Sequence, residues 1–330
     1  MQLKTSLGRY LSLVQSGASH NSDLCKTIIG LADSAKAVAR EILQNSVGDS
    51  PNLIEQIAFE LFDEQLSQAP IGMLIAEKFE NPRVQTPESR LAVAIYPVEA
   101  AANIDSAMPC GSIFSIYQLG YEASSQDFSG ATLLAAGFFV YGARTHLVAS
   151  CGEGTNVFTL SPESGEFMLS RERVIIPPQR REYAVDSSNY RFWHSSIRHL
   201  VDDCVAGSDG PLGGDFDMYW NESIVMAAYR ILNRGGVYLC PDDVRPAYRN
   251  GKHKLLYEAI PIAFLVEQAG GKASDGYTPI LDRKVSQMDA RIPLMFGAQD
   301  LVDKVLDYYS NDATDTTRFR LFENRSLLRN

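Results

Sequence analysis

The sequence is short of the features that mark several common classes of protein. Its five cysteines, Cys25, Cys110, Cys151, Cys204 and Cys240, are odd in number and scattered, with no CxxC pair. That excludes a zinc knuckle or dithiol motif and leaves them as small apolar residues of a reducing compartment. The five histidines form no HExxH and no pair at ligand spacing. No GxSxG, GxGxxG or Walker A sequence occurs, so the nucleophile elbow, the dinucleotide fingerprint and the P-loop are excluded. There is no block of Lys and Arg, and the formal charge is −10 over 330 residues. Such a chain is a poor partner for nucleic acid or an anionic membrane surface. The longest apolar run, residues 131–143, contains Gly137 and Gly142 and stops at Arg144; it is too short to span a bilayer. The opening MQLKTSLGRY has no apolar h-region, so a signal peptide is not expected and a cytoplasmic location is.

What is present describes a globular protein of one large or two medium domains, with 45% apolar and 21% charged residues and ample core. Residues 23–44 carry Leu24, Ile28, Leu31, Ala35, Val38, Ala39 and Ile42 on one helical face, with Asp23 as the N-cap. Residues 52–66 form a second amphipathic helix whose acids, Glu55, Glu60, Asp63 and Glu64, suit either a solvated face or a site. Residues 72–76 and 91–95 read as strands. A β-rich stretch follows, GSIFSIYQ, GATLLAAGFFVYGARTHLVAS and NVFTLSPESGEFMLS, with SPESG as a hairpin turn. Pro177-Pro178 breaks the chain, which places a boundary between residues 1–178 and 179–330. Beyond it come a helix at 223–233, a strand in GGVYLCP, a helix at 254–268 closed by Gly270-Gly271, a strand at 294–296 and a helix at 301–309. From Asn311 the tail is polar and charged. Strands alternating with helices around a β-rich middle predict an α/β architecture with both sheet faces covered.

Three acids stand out. Glu77 follows the 72–76 strand, Glu99 follows the 91–95 strand, and Glu258 lies on the apolar face of LLYEAIP. A carboxylate among Leu255, Leu256, Ile260 and Ile262 is costly to bury unpaired. Converging carboxylates suit Mg²⁺, which takes oxygen ligands together with a phosphate. Scattered or salt-bridged acids are the alternative reading.

Several stretches, in order and at matching spacing, resemble the class 1 fructose-1,6-bisphosphatase family. They are NIDSAMPCGSIFSIYQ, LLAAGFFVYGARTHLV, VFTLSPESGEFML, GGVYLCP, and GKHKLLYEAIPIAFLVEQAGGKASDG with ILD. The resemblance covers the chain from about Ile28 to Val305. It implies the layered α/β/α/β/α sugar-phosphatase fold, two domains with mixed sheets, a homotetramer, and Mg²⁺-assisted hydrolysis of a sugar bisphosphate. By resemblance, Glu60 and Glu77 take catalytic positions and Glu77, Glu99 and Glu258 hold metal. Asn103, Asp186, Tyr219 and Lys252 contact substrate.

The departures fall on the chemistry. Where the family has Asp-Pro-Leu-Asp-Gly-Ser-Ser before Asn-Ile-Asp, this chain has Tyr96-Pro97-Val98-Glu99-Ala100-Ala101-Ala102. The paired Glu of the family is Glu77-Lys78. The Asn after the metal-binding Glu is Ile260, the Arg-Tyr pair is Tyr219-Trp220, and the Tyr before Pro is Cys240. Lys252 and Lys254 stand where the family has Lys-x-Arg. A missing carboxylate about 4 Å from a charge is worth on the order of 4 kcal/mol at an effective dielectric near 20. Three readings stay open. One is a catalytically impaired pseudo-phosphatase with a structural or regulatory role in sugar-phosphate metabolism, which needs no cofactor. Another is an active Mg²⁺-dependent phosphatase of fructose 1,6-bisphosphate or a related ester. The last is a binder of a less charged small molecule. The expected partners are a sugar phosphate, if the site is retained, and copies of itself or of an active paralogue.

Overall fold

The computed structural model describes residues 5–17, 22–44, 51–120 and 128–312. The polar tail beyond residue 312 lies outside them.

The N-terminal half begins with three helices, α1 (Leu7–Gly17), α2 (Ser22–Gln44) and α3 (Pro51–Ser67). Eight strands follow: β1 (Met73–Ala76), β2 (Arg83–Val84), β3 (Leu91–Glu99), β4 (Cys110–Gln118), β5 (Leu133–Tyr141), β6 (His146–Ser150), β7 (Thr155–Leu160) and β8 (Phe167–Val174). They form one sheet in the order β2-β1-β3-β4-β5-β6-β7-β8, parallel only between β1 and β3. The second half carries β9 (Glu182–Val185), α4 (Ser195–Ala206), β10 (Asp217–Tyr219), α5 (Ile224–Arg234), β11 (Val237–Cys240), β12 (His253–Lys254), α6 (Ile260–Glu267), β13 (Gly271–Ser274), β14 (Arg291–Ile292), β15 (Leu294–Ala298) and α7 (Gln299–Asp312). Its main sheet runs β10-β9-β11-β15-β13, and β12 pairs with β14.

The layers follow from strand alternation. On β3, Leu91, Val93 and Ile95 face a core shared with α1–α3, while Ala92 and Ala94 face the core around α5 and α6. Both faces are covered, so β3 and β4 read as near-continuous apolar runs. Helices α5 and α6 lie between the two sheets, and α4 and α7 pack on the far side of the second. This is the α/β/α/β/α arrangement with mixed sheets that the resemblance implied. Small residues let the central layer close. A Cβ on Gly111 would meet the Phe139 carbonyl at 2.3 Å and a Val225 methyl of α5 at 2.7 Å.

Three local expectations change. Asp23 lies inside the first turn of α2 rather than ahead of it. Strand β3 does not end at Ile95; it runs through Pro97 to Glu99, with a register shift against β4 between Tyr96 and Glu99. The helix expected over 254–268 is three pieces: β12, a π-helical turn (Leu255–Ala259) and α6. Pro261 has no N–H for the carbonyl four residues back, and the Ile260 N–H reaches the Leu255 carbonyl, five back. That wide turn presents Glu258.

Candidate active site

Two polar centres lie near the strand ends that face the middle layer. The first is a carboxylate cluster. The parallel pairing Ala76↔Ile95 sets Glu77, just past the end of β1, beside Tyr96 within β3. The π-helical turn packs against β3 and β4 and brings Glu258 to them. Tyr96 lies in the field of Glu258, Glu77, Glu99 and Glu55; burial first, and these charges second, keep its phenol protonated.

Each carboxylate of the cluster already has an internal partner. Glu99 is buried; its Oε2 accepts the Ser223 hydroxyl at 2.5 Å and its Oε1 the Ile224 amide at 2.9 Å. It therefore caps α5, where the helix dipole favours an anion. Burial pushes its carboxyl up to about 7 against those hydrogen bonds. Glu258 accepts His253 Nδ1–H at 2.9 Å and the Lys254 amide at 2.7 Å. Burial would raise Glu258, but the His253 charge holds it below its usual range. Burial would lower His253, but Cys240 and Glu258 outweigh it and push the imidazole up to about 10. Glu77 is paired with the buried Lys254 ammonium, which also lies 4.7 Å from the centre of the Tyr96 ring.

Mg²⁺ needs near-octahedral oxygen donors that are free to turn toward it. Here a phenol replaces one carboxylate, a helix terminus takes the second, an imidazolium the third and an ammonium the fourth. Among the described residues no three His, Cys, Asp or Glu side chains are grouped to hold an ion. As arranged, these residues do not fit Mg²⁺.

The remaining candidates divide. Glu60 is exposed on α3 and accepts Gln56 Nε2 at 2.9 Å. Glu55, earlier on the same helix, is the acid whose field reaches Tyr96. Lys78 turns outward, 5.2 Å from the centre of the Phe59 ring, so it does not enter the cluster. Asn103 is buried and donates to the Pro109 carbonyl at 2.8 Å; it ties the loop rather than facing open space. Ala100 sits in the left-handed region at φ 56°, where the family has Gly. None of Ala100, Ala101 or Ala102 carries a side-chain donor for a phosphate.

The second centre is a pocket at the ends of the parallel strands β9 and β11, the end of an α/β sheet where ligands commonly bind. Pairing of Leu239 with Val185 sets Cys240 beside Asp186. Asp186, Cys240 and Lys252 line the pocket with Trp220, Arg245 and Tyr248. Tyr219 points the other way; its ring lies 4.3 Å from the Arg230 guanidinium. Trp220, the residue after β10, and not Tyr219, therefore lines the pocket. Buried Tyr238 joins the two centres, since its hydroxyl is 3.0 Å from His253 Nε2.

Several of these residues escaped the sequence reading. His253 is one letter in GKHKLLYE, and nothing local marks it as buried, since Lys254 beside it is buried too. Ser223 reads as the first residue of the 223–233 helix; it is instead the N-cap of α5 and a partner of Glu99. Asn189, Asp243 and Arg245 carry no local signal.

The fold is the layered α/β/α/β/α fold of the sugar-phosphatase class. Residues 11–172 match the family described as Fructose-1-6-bisphosphatase, N-terminal domain, and residues 176–310 its C-terminal domain. A class 1 fructose-1,6-bisphosphatase of Azorhizobium caulinodans is 43% identical over 270 residues, 80% of this chain and 82% of the relative. One from Methylorubrum populi is 37% identical over 98% of this chain and 94% of its own. The holo structure of Leishmania major fructose-1,6-bisphosphatase superposes with a TM-score of 0.84 at 27% identity, covering 93% of this chain and 99% of that one. The chain belongs to the class 1 fructose-1,6-bisphosphatase family. Among the described residues, no helix is long and apolar enough to cross a membrane.

Proposed function

We propose that this chain is a pseudo-phosphatase of its family: a cytoplasmic member that does not hydrolyse sugar bisphosphate through a bound metal. Its role is structural or regulatory in sugar-phosphate metabolism, as an oligomer of itself or with an active paralogue. The boundary at 178/179 separates its two halves. The reading is carried by one observation: Glu77, Glu99 and Glu258 are each held by a cation or donor of the chain itself. Tyr96 and the three alanines of the loop support it, because they remove a ligand and the hydroxyl donors for a departing phosphate.

The likeness to relatives named fructose-1,6-bisphosphatase, one of them 43% identical, favours a second reading. In it the carboxylates release their partners, Glu77, Glu99 and Glu258 take Mg²⁺, Glu60 assists, and Asn103, Asp186, Tyr219 and Lys252 hold a sugar phosphate. Hydrolysis of fructose 1,6-bisphosphate with and without Mg²⁺ separates the two. The first expects no Mg²⁺-dependent release of phosphate. A rate within tenfold of an intact-loop relative, abolished by Glu258→Gln, establishes the second.

A further inference from the structure

The pocket between β9 and β11 has a charged lining that sums to zero, with Asp186 and Asp243 against Arg245 and Lys252. Three of those four groups are committed within the chain. Arg245 Nε donates to both oxygens of Asp243, at 3.1 and 3.0 Å, and Arg245 Nη2 to Asn189 Oδ1 at 2.8 Å. The guanidinium is also clamped between the Phe192 and Tyr248 rings, at 4.2 and 4.4 Å. Asp186 accepts the Ser188 hydroxyl at 2.6 Å and the Asn189 amide at 2.7 Å. Lys252 has no ion-pair partner among the described residues. A phosphate dianion here meets one ammonium and, across the same space, a carboxylate. Attraction and repulsion oppose each other.

An aromatic plate stands beside these groups. Trp220 is 39% exposed and lines the pocket. Its ring stacks on Tyr238 at 6.3 Å and 14°, and Tyr238 stacks on Phe296 at 4.9 Å. The column fixes the indole, and the small Cys240 on the same strand face as Tyr238 leaves room at the pocket floor. An indole next to a carboxylate and an ammonium suits a polyhydroxylated ring. The C–H face lies on the indole, hydroxyls donate to Asp186, and Lys252 donates to ring or hydroxyl oxygens.

We propose that this pocket binds an unphosphorylated sugar ring, stacked on Trp220 and hydrogen-bonded to Asp186 and Lys252, in preference to the corresponding sugar phosphate. The inference rests on the reading above only in taking the pocket for a surviving sugar subsite. Its test is binding, not turnover.

The test titrates the full chain, without metal, with D-fructose, D-glucose, the 6-phosphate of each, and inorganic phosphate. Tryptophan fluorescence and the rate of N-ethylmaleimide addition to Cys240, followed by mass spectrometry, report binding. At least one free sugar should saturate both signals, and its 6-phosphate should bind no more tightly. Trp220→Phe should keep the slowed Cys240 addition while losing most of the fluorescence change; Trp220→Ala should weaken the sugar at least tenfold. Asp186→Asn keeps an acceptor for Ser188 and should shift preference toward the 6-phosphate at least tenfold. A wild-type 6-phosphate that binds at least tenfold more tightly than its sugar overturns the proposal. So does competition by inorganic phosphate, an unchanged preference in Asp186→Asn, or no saturable binding of either sugar. If the chain hydrolyses fructose 1,6-bisphosphate yet shows this preference, the functional reading fails and this one stands.

Discussion

The carboxylate cluster, by β1 and β3 of the first sheet, and the pocket, at the ends of β9 and β11 of the second, are linked through Tyr238 and His253, yet they have taken opposite courses. In the cluster, every acid is matched by a hydroxyl, amide, imidazolium or ammonium of the chain. In the pocket, an ammonium and an indole face remain open. Buried polar groups are stable when satisfied and costly when not. A site that loses its ion must therefore satisfy its acids from within, whereas an open pocket has water to do so. On the proposed reading the closed centre works as structure, and the open one keeps the means to bind.

The largest effect that could break this contrast is catalytic. Hydrolysis of fructose 1,6-bisphosphate should be at least about a thousandfold slower than in a relative with an intact loop, the effect of losing about 4 kcal/mol of charge interaction. Steady-state phosphate release in saturating Mg²⁺ measures it. Combining Tyr96→Asp with His253→Leu restores one carboxylate and frees another, and should raise Mg²⁺ affinity at least tenfold by calorimetry. A folded double variant with unchanged affinity would place the cluster's closure elsewhere.

Next is pH dependence. His253 is held up to about 10 in the folded chain. A raised imidazole contributes stability that is complete below its unfolded value near 6.5 and is lost as pH rises toward 10. Between pH 7 and 9 the wild type should lose about 2 kcal/mol in urea unfolding, and His253→Gln should lose much less of it. Equal slopes in the two proteins would mean that His253 is not held as an imidazolium.

Removing the cap is of similar or smaller size. Glu99→Ala orphans the Ser223 hydroxyl and the Ile224 amide and should cost about 1–3 kcal/mol. No loss would detach Glu99 from α5. The smallest effect is at Ala100. Its positive φ suits Gly, so Ala100→Gly should gain about 0.5–1 kcal/mol, read as a small rise in melting temperature.

The layered scaffold was legible in the sequence because its signals are periodic. The β4 and β5 runs and the apolar stripe of α2 mark buried faces wherever the partner lies. The end of β3 was not, since a Pro at 97 argues for a loop until β4 is seen to pair beyond it. The site was legible as positions but not as contacts. Glu77, Glu99 and Glu258 stood out as acids at strand ends and on an apolar face, and their charges all reach Tyr96, while Ser223 lies 124 residues from Glu99 along the chain, beyond any local pattern. Tyr219 and Trp220 could be told apart only once the structure set Tyr219 against Arg230 and Trp220 in the pocket.

The most direct test of the central claim is magnesium calorimetry on the wild-type chain, with and without fructose 1,6-bisphosphate. Internal satisfaction of the acids predicts no saturable heat in either titration up to millimolar Mg²⁺. Stoichiometric binding that is lost in Glu258→Gln would contradict it.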